Sequence, residues 1–209
     1  ELNESGFRKL KYINFELIIK TGEIQPKHQP GHSHSDILSY CLWYKGKQVI
    51  VDPGISTYEI GDVRLFERSS INHNTISINS FNQSDMWSSF RVGKRAKSNI
   101  LQHNDKIIKS SVTNFYHNSN YTHTRTIKII NKSILIIDEV SNLSPNDICY
   151  SNIHFDNNLK LILDERNLNI NDCFLEFVNG QYDIDIKDYM QSIYFGKKIN
   201  SKKITFKIK

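Results

Sequence analysis

Short runs of alternating apolar and polar residues, separated by turn-forming residues, restrict the possible folds of this chain more than any other feature. β-Branched and aromatic residues fill these runs, and the 209 residues include a single alanine, Ala96. Because alanine is the best helix former and β-branched residues favour strands, a helical bundle is disfavoured. Strands are predicted at residues 15–20, 37–44, 48–51, 75–78, 106–112, 122–130, 133–140, 148–154, 159–163, 174–177, 191–194 and 203–207.

Two pairs of these runs are joined by short turns that contain Gly or Asn, which predicts two β-hairpins. One hairpin covers residues 37–51 with Gly46 in its turn, and the other covers residues 122–140 around Asn131-Lys132. In the second hairpin, His123 and Arg125 alternate with threonines, which predicts an exposed strand face. Many short strands without an internal boundary predict one all-β domain over residues 1–209, a sandwich or barrel-like fold.

Composition excludes several functional classes. The formal net charge is +5, but the lysines are spread along the chain, and there is no zinc-finger spacing, RRM motif or basic heptad region. A nucleic-acid partner is therefore not predicted. No apolar run reaches the roughly 18 residues of a membrane span. The three cysteines contain no C-x-x-C pair, so no disulfide framework is expected. The chain opens at Glu1 and not at Met, which favours a piece of a longer protein.

Histidines and carboxylates are concentrated in the first half of the chain. His32, His34 and Asp36 follow one another at a spacing of two, which on a strand places them on one face. Asp52 and His73 follow downstream. Imidazole and carboxylate groups suit zinc, and two histidines with one carboxylate leave a coordination position open. The pattern indicates a metal site.

A bland alternative stays open, in which these residues are a surface histidine pair, a turn aspartate and a capping histidine. Strand geometry also opposes a shared ion. If residues 45–47 form a three-residue turn, Asp52 lies on the same face as His34 but about 20 Å away along the strand. A common metal would then need a sharp bend, a bulge or strong coiling between them.

Several ordered motifs resemble the heparinase II/III-like family. They lie at residues 29–36 (QPGHSHSD), 51–59 (VDPGISTYE), 68–75 (RSSINHNT), 82–87 (NQSDMW) and 90–96 (FRVGKRA). The family includes bacterial lyases of acidic polysaccharides such as heparin, heparan sulfate and alginate. It also includes uncharacterised members associated with envelope polysaccharide synthesis, and the form G-x-S-T-Y-E at residues 54–59 is more similar to that second group.

The resemblance implies an architecture and a metal site. Family members carry an N-terminal α/α toroid followed by a large antiparallel β-sandwich, and this chain matches only the β part. Residues 1–209 would then form the C-terminal β-sandwich domain, without the toroid. The family's metal ligands fall on His34, Asp52 and His73, usually with zinc. A structural zinc that fixes the preceding loop is favoured over a Lewis acid at the substrate.

The resemblance also implies roles at a substrate cleft. His32 would be catalytic, neutralising a uronic acid carboxylate or moving a proton, while Tyr58 and Arg68 would contact the substrate. The family's catalytic Tyr and its Asn or His partner come from the toroid, so no position in this chain receives them. The expected function is the C-terminal domain of a lyase that cleaves acidic polysaccharide by β-elimination, incomplete without the toroid.

Two other functions remain open from the sequence. One is a non-catalytic module that binds or scaffolds polysaccharide during envelope synthesis. The other is a small cupin-like metalloenzyme, which would need a complete active site within this chain. The expected location is the periplasm or cell envelope of a bacterium in preference to the secreted fraction.

Overall fold

A computed structural model describes residues 3–113, 121–170, 173–177 and 182–208. Over these ranges the chain consists mostly of antiparallel strands, with one six-residue α-helix, α1 (Asp62–Glu67), and three 3₁₀ turns at Asn3–Ser5, Pro30–His32 and Ser70–Asn72. The strands are β1 (Phe7–Tyr12), β2 (Phe15–Lys20), β3 (Tyr40–Tyr44), β4 (Lys47–Ile50), β5 (Ile76–Ile78), β6 (Met86–Trp87), β7 (Arg91–Val92), β8 (Lys97–Asn104), β9 (Ile107–Thr113), β10 (Thr122–Ile130), β11 (Ser133–Ser141), β12 (Cys149–His154), β13 (Leu161–Asp164), β14 (Asn167–Ile170), β15 (Cys173–Glu176), β16 (Tyr182–Tyr194) and β17 (Lys197–Ile208).

The strands form three four-stranded sheets and two smaller ones. Their orders are β1-β2-β3-β4, β11-β10-β9-β8, β16-β17-β12-β5, β13-β14-β15 and β6-β7. Most neighbours are consecutive in sequence, whereas the third sheet pairs β5 with β12 and β12 with β17. The predicted antiparallel all-β class is confirmed. No helix in the part of the chain that the structure describes is long and apolar enough to cross a membrane.

Both predicted hairpins are present, and each is closed by a two-residue turn. Lys45 and Gly46 have φ values of 50° and 75°, and Asn131 and Lys132 have 46° and 68°. Positive φ at both central residues matches the right-handed twist of the flanking strands. The three-residue turn considered for residues 45–47 is therefore wrong: Tyr44 pairs with Lys47, and a bulge follows next to Leu42.

The segment before β3 is irregular, which corrects the strand predicted from residue 37. β3 begins at Tyr40, and His32 lies in a 3₁₀ turn that starts with Pro30. Leu38 has a φ of 67°, and the backbone N–H of Ser39 donates to the Asp36 carbonyl at 2.9 Å, so a tight turn separates His34 from β3. The histidines therefore do not share a strand face. The same bend removes the 20 Å separation expected between His34 and Asp52.

One buried apolar cluster joins side chains from different sheets. It includes Leu17 and Ile19 from β2, Ile127 from β10 and Ile204 from β17, each with no exposed surface. Ala96 is also fully buried there, and its backbone N–H donates to Ser84 Oγ at 2.9 Å. This core supports one face of each large sheet and leaves the loops at their ends to carry polar groups.

The expectation of an exposed face for His123 and Arg125 is wrong, because both side chains are buried. Arg125 forms a two-pronged ion pair with Asp138 on the neighbouring strand, at 2.7 Å (Nε–Oδ1) and 2.8 Å (Nη2–Oδ2). His123 Nε2 lies 2.7 Å from the same carboxylate. A charged partner on the adjacent strand makes burial of this face tolerable.

Candidate active site

The segment that carries His32, residues 30–36 (the His loop), is held from below by Arg68. The Arg68 guanidinium donates to the carbonyls of Ser33 at 2.9 Å, Ser89 at 2.5 Å and Pro30 at 3.5 Å. The backbone N–H of Ser35 in turn donates to the Arg68 carbonyl at 2.9 Å. One side chain thereby fixes both ends of the turn that presents His32.

Arg68 is fully buried, and this placement bears on its predicted substrate contact. Burial and the neighbouring Arg64 lower the pKa of Arg68 to about 10, so the group is still charged at neutral pH. Its three bonded donors face backbone carbonyls beneath the site. The structure therefore gives Arg68 the role of holding the His loop, and direct contact with a substrate stays a prediction.

His34, His73 and Asp52 form one line of contacts. His34 Nδ1 lies 3.1 Å from His73 Nε2, and His73 Nδ1 lies 2.8 Å from Asp52 Oδ2. The other oxygen of Asp52 accepts the backbone N–H of Gly54 at 2.9 Å. If Nδ1 of a neutral His73 carries the proton towards Asp52, Nε2 keeps a lone pair that faces His34.

The ionisation of these three groups follows from their surroundings. Burial, and then the neighbouring His73, lower the pKa of His34 to about 4, so it is neutral at neutral pH. Burial alone lowers the pKa of His73, but the Asp52 carboxylate raises it above its usual value. Desolvation raises the pKa of Asp52, yet His73 and the Gly54 N–H hold it well below its usual range. The line therefore carries one fixed carboxylate and one neutral imidazole.

The structure brings the three predicted metal ligands together, although not around a common point. Among residues 3–113, 121–170, 173–177 and 182–208, no group of three or more His, Cys, Asp or Glu is arranged to hold a metal ion. Two imidazole nitrogens 3.1 Å apart are close to the roughly 3.3 Å that Zn–N bonds of about 2.0–2.1 Å give at a tetrahedral ion. The same spacing is also that of a hydrogen bond between the two rings, and Asp52 contacts the far nitrogen of His73.

Asn74 links this line to β3, to the residue that follows β4, and to β12. Its side-chain amide donates to the carbonyls of Tyr40 at 2.9 Å and Val51 at 2.7 Å, and its oxygen accepts from the backbone N–H of His154 at 2.8 Å. His154 Nδ1 lies 2.9 Å from the same oxygen. Because Asn74 follows His73 directly, these bonds fix the position of the His73 ring.

His32 is exposed and stands among aromatic rings. Its ring meets Tyr58 edge-on at 5.2 Å between centroids and Phe90 at 6.2 Å. Beneath them the Arg64 guanidinium lies 5.0 Å from the Tyr58 centroid and 5.3 Å from that of Phe90. Arg64 also donates to the Gly31 carbonyl at 3.3 Å. The predicted catalytic residue and the predicted substrate contact Tyr58 therefore share one surface.

The segment that carries Tyr58, residues 53–58 (the Tyr loop), is tied to α1 and to the β16–β17 hairpin. Ser56 donates to the Glu67 carboxylate through its backbone N–H at 3.0 Å and its hydroxyl at 2.5 Å, and Lys198 Nζ lies 3.0 Å from the same group. The backbone N–H of Ser192 donates to Pro53 O at 2.8 Å, and that of Gly196 donates to Ser56 O at 3.0 Å.

Gly54 shows how closely the hairpin approaches this loop. It has a φ of 73°, and an added Cβ would lie 2.8 Å from the backbone oxygen of Ser192. We expect Gly54→Ala to lower the free energy of unfolding by about 3 kcal/mol, because the left-handed conformation and a clash with rigid backbone act together. Urea unfolding followed by circular dichroism measures this change.

Gly46→Ala is the matched control for that substitution. Gly46 has nearly the same φ, 75°, but nothing lies within 4 Å of its added Cβ. Its expected loss is about 1 kcal/mol, the conformational cost alone. Equal losses for the two variants would contradict the proposed close approach of the hairpin to the Tyr loop.

Three residues of this surface were not anticipated from the sequence as functional. Arg64 lies outside the motifs, and Phe90 lies in one of them but has no role assigned from the sequence. Phe195 lies far along the chain, and its ring stacks on Tyr58 at 5.0 Å. The only sequence feature that hints at the contact between Phe195 and Tyr58 is the run of basic and aromatic residues at 194–198.

Comparison with known proteins is consistent with this fold. The chain is similar to a crystal structure of heparinase III, with a TM-score of 0.78 and 16% identity over 97% of this chain and 33% of that one. It is also similar to the heparan sulfate lyase HepC from Pedobacter heparinus, with a TM-score of 0.72 and 17% identity over 93% of this chain and 30% of that one. At such identities the likeness shows the fold, and the chain spans about a third of these proteins.

Sequence comparison gives the family directly. No curated protein sequence matches the chain. A family model described as heparinase II/III-like, C-terminal, matches residues 1–207. The whole run of motifs lies within this match, including the His loop, the Tyr loop and the segment with His73. The chain therefore belongs to the heparinase II/III-like family, and it matches the C-terminal domain of that family.

Proposed function

We propose that this chain is the C-terminal β domain of a polysaccharide lyase that cleaves uronic-acid-containing polysaccharide by β-elimination. The observation that carries the proposal is the placement of His32. It is exposed on a turn held by Arg68 and lies 5.2 Å from the exposed ring of Tyr58. Family membership and the likeness to heparan sulfate lyases support the same substrate class.

The proposed reaction sets clear demands on the site. A base removes the C5 proton of the uronic acid, a C4–C5 double bond forms, and the C4–O bond to the leaving sugar breaks. An acid protonates that leaving oxygen, and negative charge develops on the carboxylate in the transition state. Preorganised donors stabilise this charge. We assign His32 to the carboxylate or to proton transfer, within hydrogen-bond reach of the reacting atoms.

The other catalytic groups are proposed to come from an N-terminal toroid of the same protein. Among the residues that the structure describes, the rings of Tyr58 and Phe90 contact His32, and Tyr58 is the one that we assign to the substrate. The reaction requires a compartment that contains acidic polysaccharide. We therefore propose that the protein is located in the periplasm or envelope of a bacterium.

We further propose a structural zinc beneath the His loop. His34 and His73 would hold it through facing nitrogens 3.1 Å apart, with Asp52 as a third ligand or as the partner that orients His73. When bound, zinc would supply a fixed crosslink between the His loop, which carries His34, and the segment that carries His73. The role of these side chains is then to hold the turn that presents His32 and not to contact the sugar.

The test uses the protein expressed from its complete open reading frame. We expect a rise in absorbance from unsaturated uronides with at least one member of a panel of heparan sulfate, heparin and alginate. His32→Ala should lower the rate by about 10²–10⁴-fold, the usual contribution of a general acid or base, without changing the melting temperature.

His28→Ala serves as the control, because His28 is an exposed histidine on the segment just before the His loop. It should retain full activity. No product across the panel would contradict the lyase proposal. Binding of these glycans without product, and without an effect of His32→Ala, would instead support a non-catalytic polysaccharide-binding module.

A further inference from the structure

The end of the β16–β17 hairpin contributes an exposed aromatic ring to the surface that carries His32. Backbone bonds from Ser192 and Gly196 to the Tyr loop fix both sides of this hairpin end. Phe195 lies between those two bonds, and its ring stacks on Tyr58 at 5.0 Å with an interplanar angle of 36°. The position of Phe195 is therefore set by backbone contacts and not by the ring contact alone.

Phe195, Tyr58 and His32 form a continuous row of exposed rings. Phe195 is 60% exposed and Tyr58 is 43% exposed, and His32 meets the Tyr58 ring edge-on at 5.2 Å between centroids. An exposed aromatic pair forgoes a large apolar burial, since each such ring can bury about 150–250 Å². Rings held in this way at a candidate active site indicate a ligand that covers them.

The chemistry around the row favours a sugar over a purely apolar ligand. Arg64 lies beneath Tyr58, and Lys197 follows directly after the hairpin turn, whereas the next residue, Lys198, is paired with Glu67. Lys197 is exposed, with its ammonium group 5.3 Å from the Tyr194 centroid. An exposed aromatic ring with cationic side chains nearby matches a pyranose ring, whose C–H face is apolar and whose carboxylate or sulfate is anionic.

We propose that the exposed ring of Phe195, supported by Tyr58, forms a stacking subsite for one sugar ring of an acidic polysaccharide, next to the unit that reaches His32. This inference rests on the proposed function and deepens it, because it assigns part of substrate recognition to Phe195, which lies 137 residues after Tyr58 in sequence. Phe195 is then a substrate-binding residue, and the hairpin determines where the sugar chain lies.

The test measures binding without cleavage. In a His32→Ala background of the protein from its complete open reading frame, calorimetric titration with heparan sulfate, heparin and alginate octasaccharides gives the dissociation constants. Phe195→Ala should weaken the tightest of them by about tenfold, which corresponds to 1.4 kcal/mol. Phe195→Tyr should restore most of the affinity, since the ring is kept.

Tyr194→Ala is the matched control, because Tyr194 is 59% exposed on the same hairpin end and contacts Lys197 in place of Tyr58. It should change the affinity less than twofold. Unchanged affinity in Phe195→Ala, an equal loss in Tyr194→Ala, or no binding of any octasaccharide would overturn the subsite. If Phe195→Ala leaves the affinity unchanged but lowers the melting temperature, the rings of Phe195 and Tyr58 serve protein packing and not sugar binding.

The two proposals fail separately. If the unsubstituted protein forms unsaturated product but Phe195→Ala binds normally in the His32→Ala background, the lyase function stands and the subsite does not. If Phe195→Ala loses affinity but no product ever forms, the subsite stands and the lyase function does not.

Discussion

Replacement of Arg125 by methionine is expected to lower the free energy of unfolding by about 2–4 kcal/mol, because two buried carbonyls lose a charged donor at about 1–3 kcal/mol each and the partly exposed Asp138 loses its partner. Arg125 holds both oxygens of Asp138 and also donates to the carbonyls of Leu38 at 2.5 Å and Asn74 at 2.6 Å. Methionine fills part of the volume but satisfies none of these acceptors. Urea unfolding at neutral pH provides the measurement.

Arg166→Met is the control for this substitution. Both arginines lie over a tyrosine ring, Arg125 at 4.9 Å from the Tyr40 centroid and Arg166 at 5.4 Å from that of Tyr182. Arg166 is exposed, so its replacement should change stability by no more than about 0.5 kcal/mol. A loss below 1 kcal/mol in Arg125→Met would contradict the network described for the interior.

The pH dependence of the ion pair has a definite sign. Burial alone raises the pKa of Asp138, but Arg125, followed by His123, holds it well below its usual range. A carboxylate with a depressed pKa in the folded state contributes stability above its unfolded value of about 3.9, and that contribution is lost as the pH falls towards the folded value. The difference between Arg125→Met and the unsubstituted chain should therefore shrink below about pH 4.

Zinc is expected to stabilise the metal-free protein by about 4 kcal/mol when the free ion exceeds its dissociation constant 1,000-fold. The pKa of His34 is lowered to about 4, so at neutral pH this candidate ligand needs no deprotonation before it binds. His34→Ala and His73→Ala should each abolish both the stabilisation and the bound zinc. Chemical unfolding with and without a chelator, together with metal analysis by mass spectrometry, measures these changes.

Asp52→Asn separates two roles for the carboxylate. If Asp52 only orients His73, zinc affinity should fall by about 10–100-fold, as for other partners of metal-bound histidines. If it is a ligand, zinc should be lost as completely as in His73→Ala. The control is His103→Ala on β8, which should retain full metal content. Equal zinc in all variants, including His34→Ala, would contradict the site.

Local signals in the sequence account for the parts of the fold that were predicted well. Asn131-Lys132 between two alternating runs predicts a hairpin because Asn tolerates positive φ at the first central position, and the structure confirms the hairpin. The sequence also predicts the position of the turn at Lys45-Gly46, but the predicted turn is one residue longer than the observed one. That error shifted the pairing of Tyr44, because the register of a hairpin depends on the length of its turn.

Contacts between distant segments explain what the sequence did not reveal. An uninterrupted strand would hold His34 about 20 Å from Asp52. The turn at Leu38 that brings the two residues close together has no strong sequence signal. Whether a strand face is buried depends on what packs over it, so Arg125 was assigned to solvent although Asp138 lies opposite it. Only the family resemblance grouped His34, Asp52 and His73 before the fold was known.

The bonds between the Tyr loop and the β16–β17 hairpin have a consequence for the order of folding during synthesis. Residues 53–58 leave the ribosome long before residues 182–208, yet Pro53 and Ser56 accept hydrogen bonds from Ser192 and Gly196. Contacts so distant in sequence form slowly, because a long segment must first be closed into a loop. The nascent chain therefore exposes Tyr58 and its neighbours without their final support until the hairpin emerges, and a ribosome pause before residue 182 would prolong that interval.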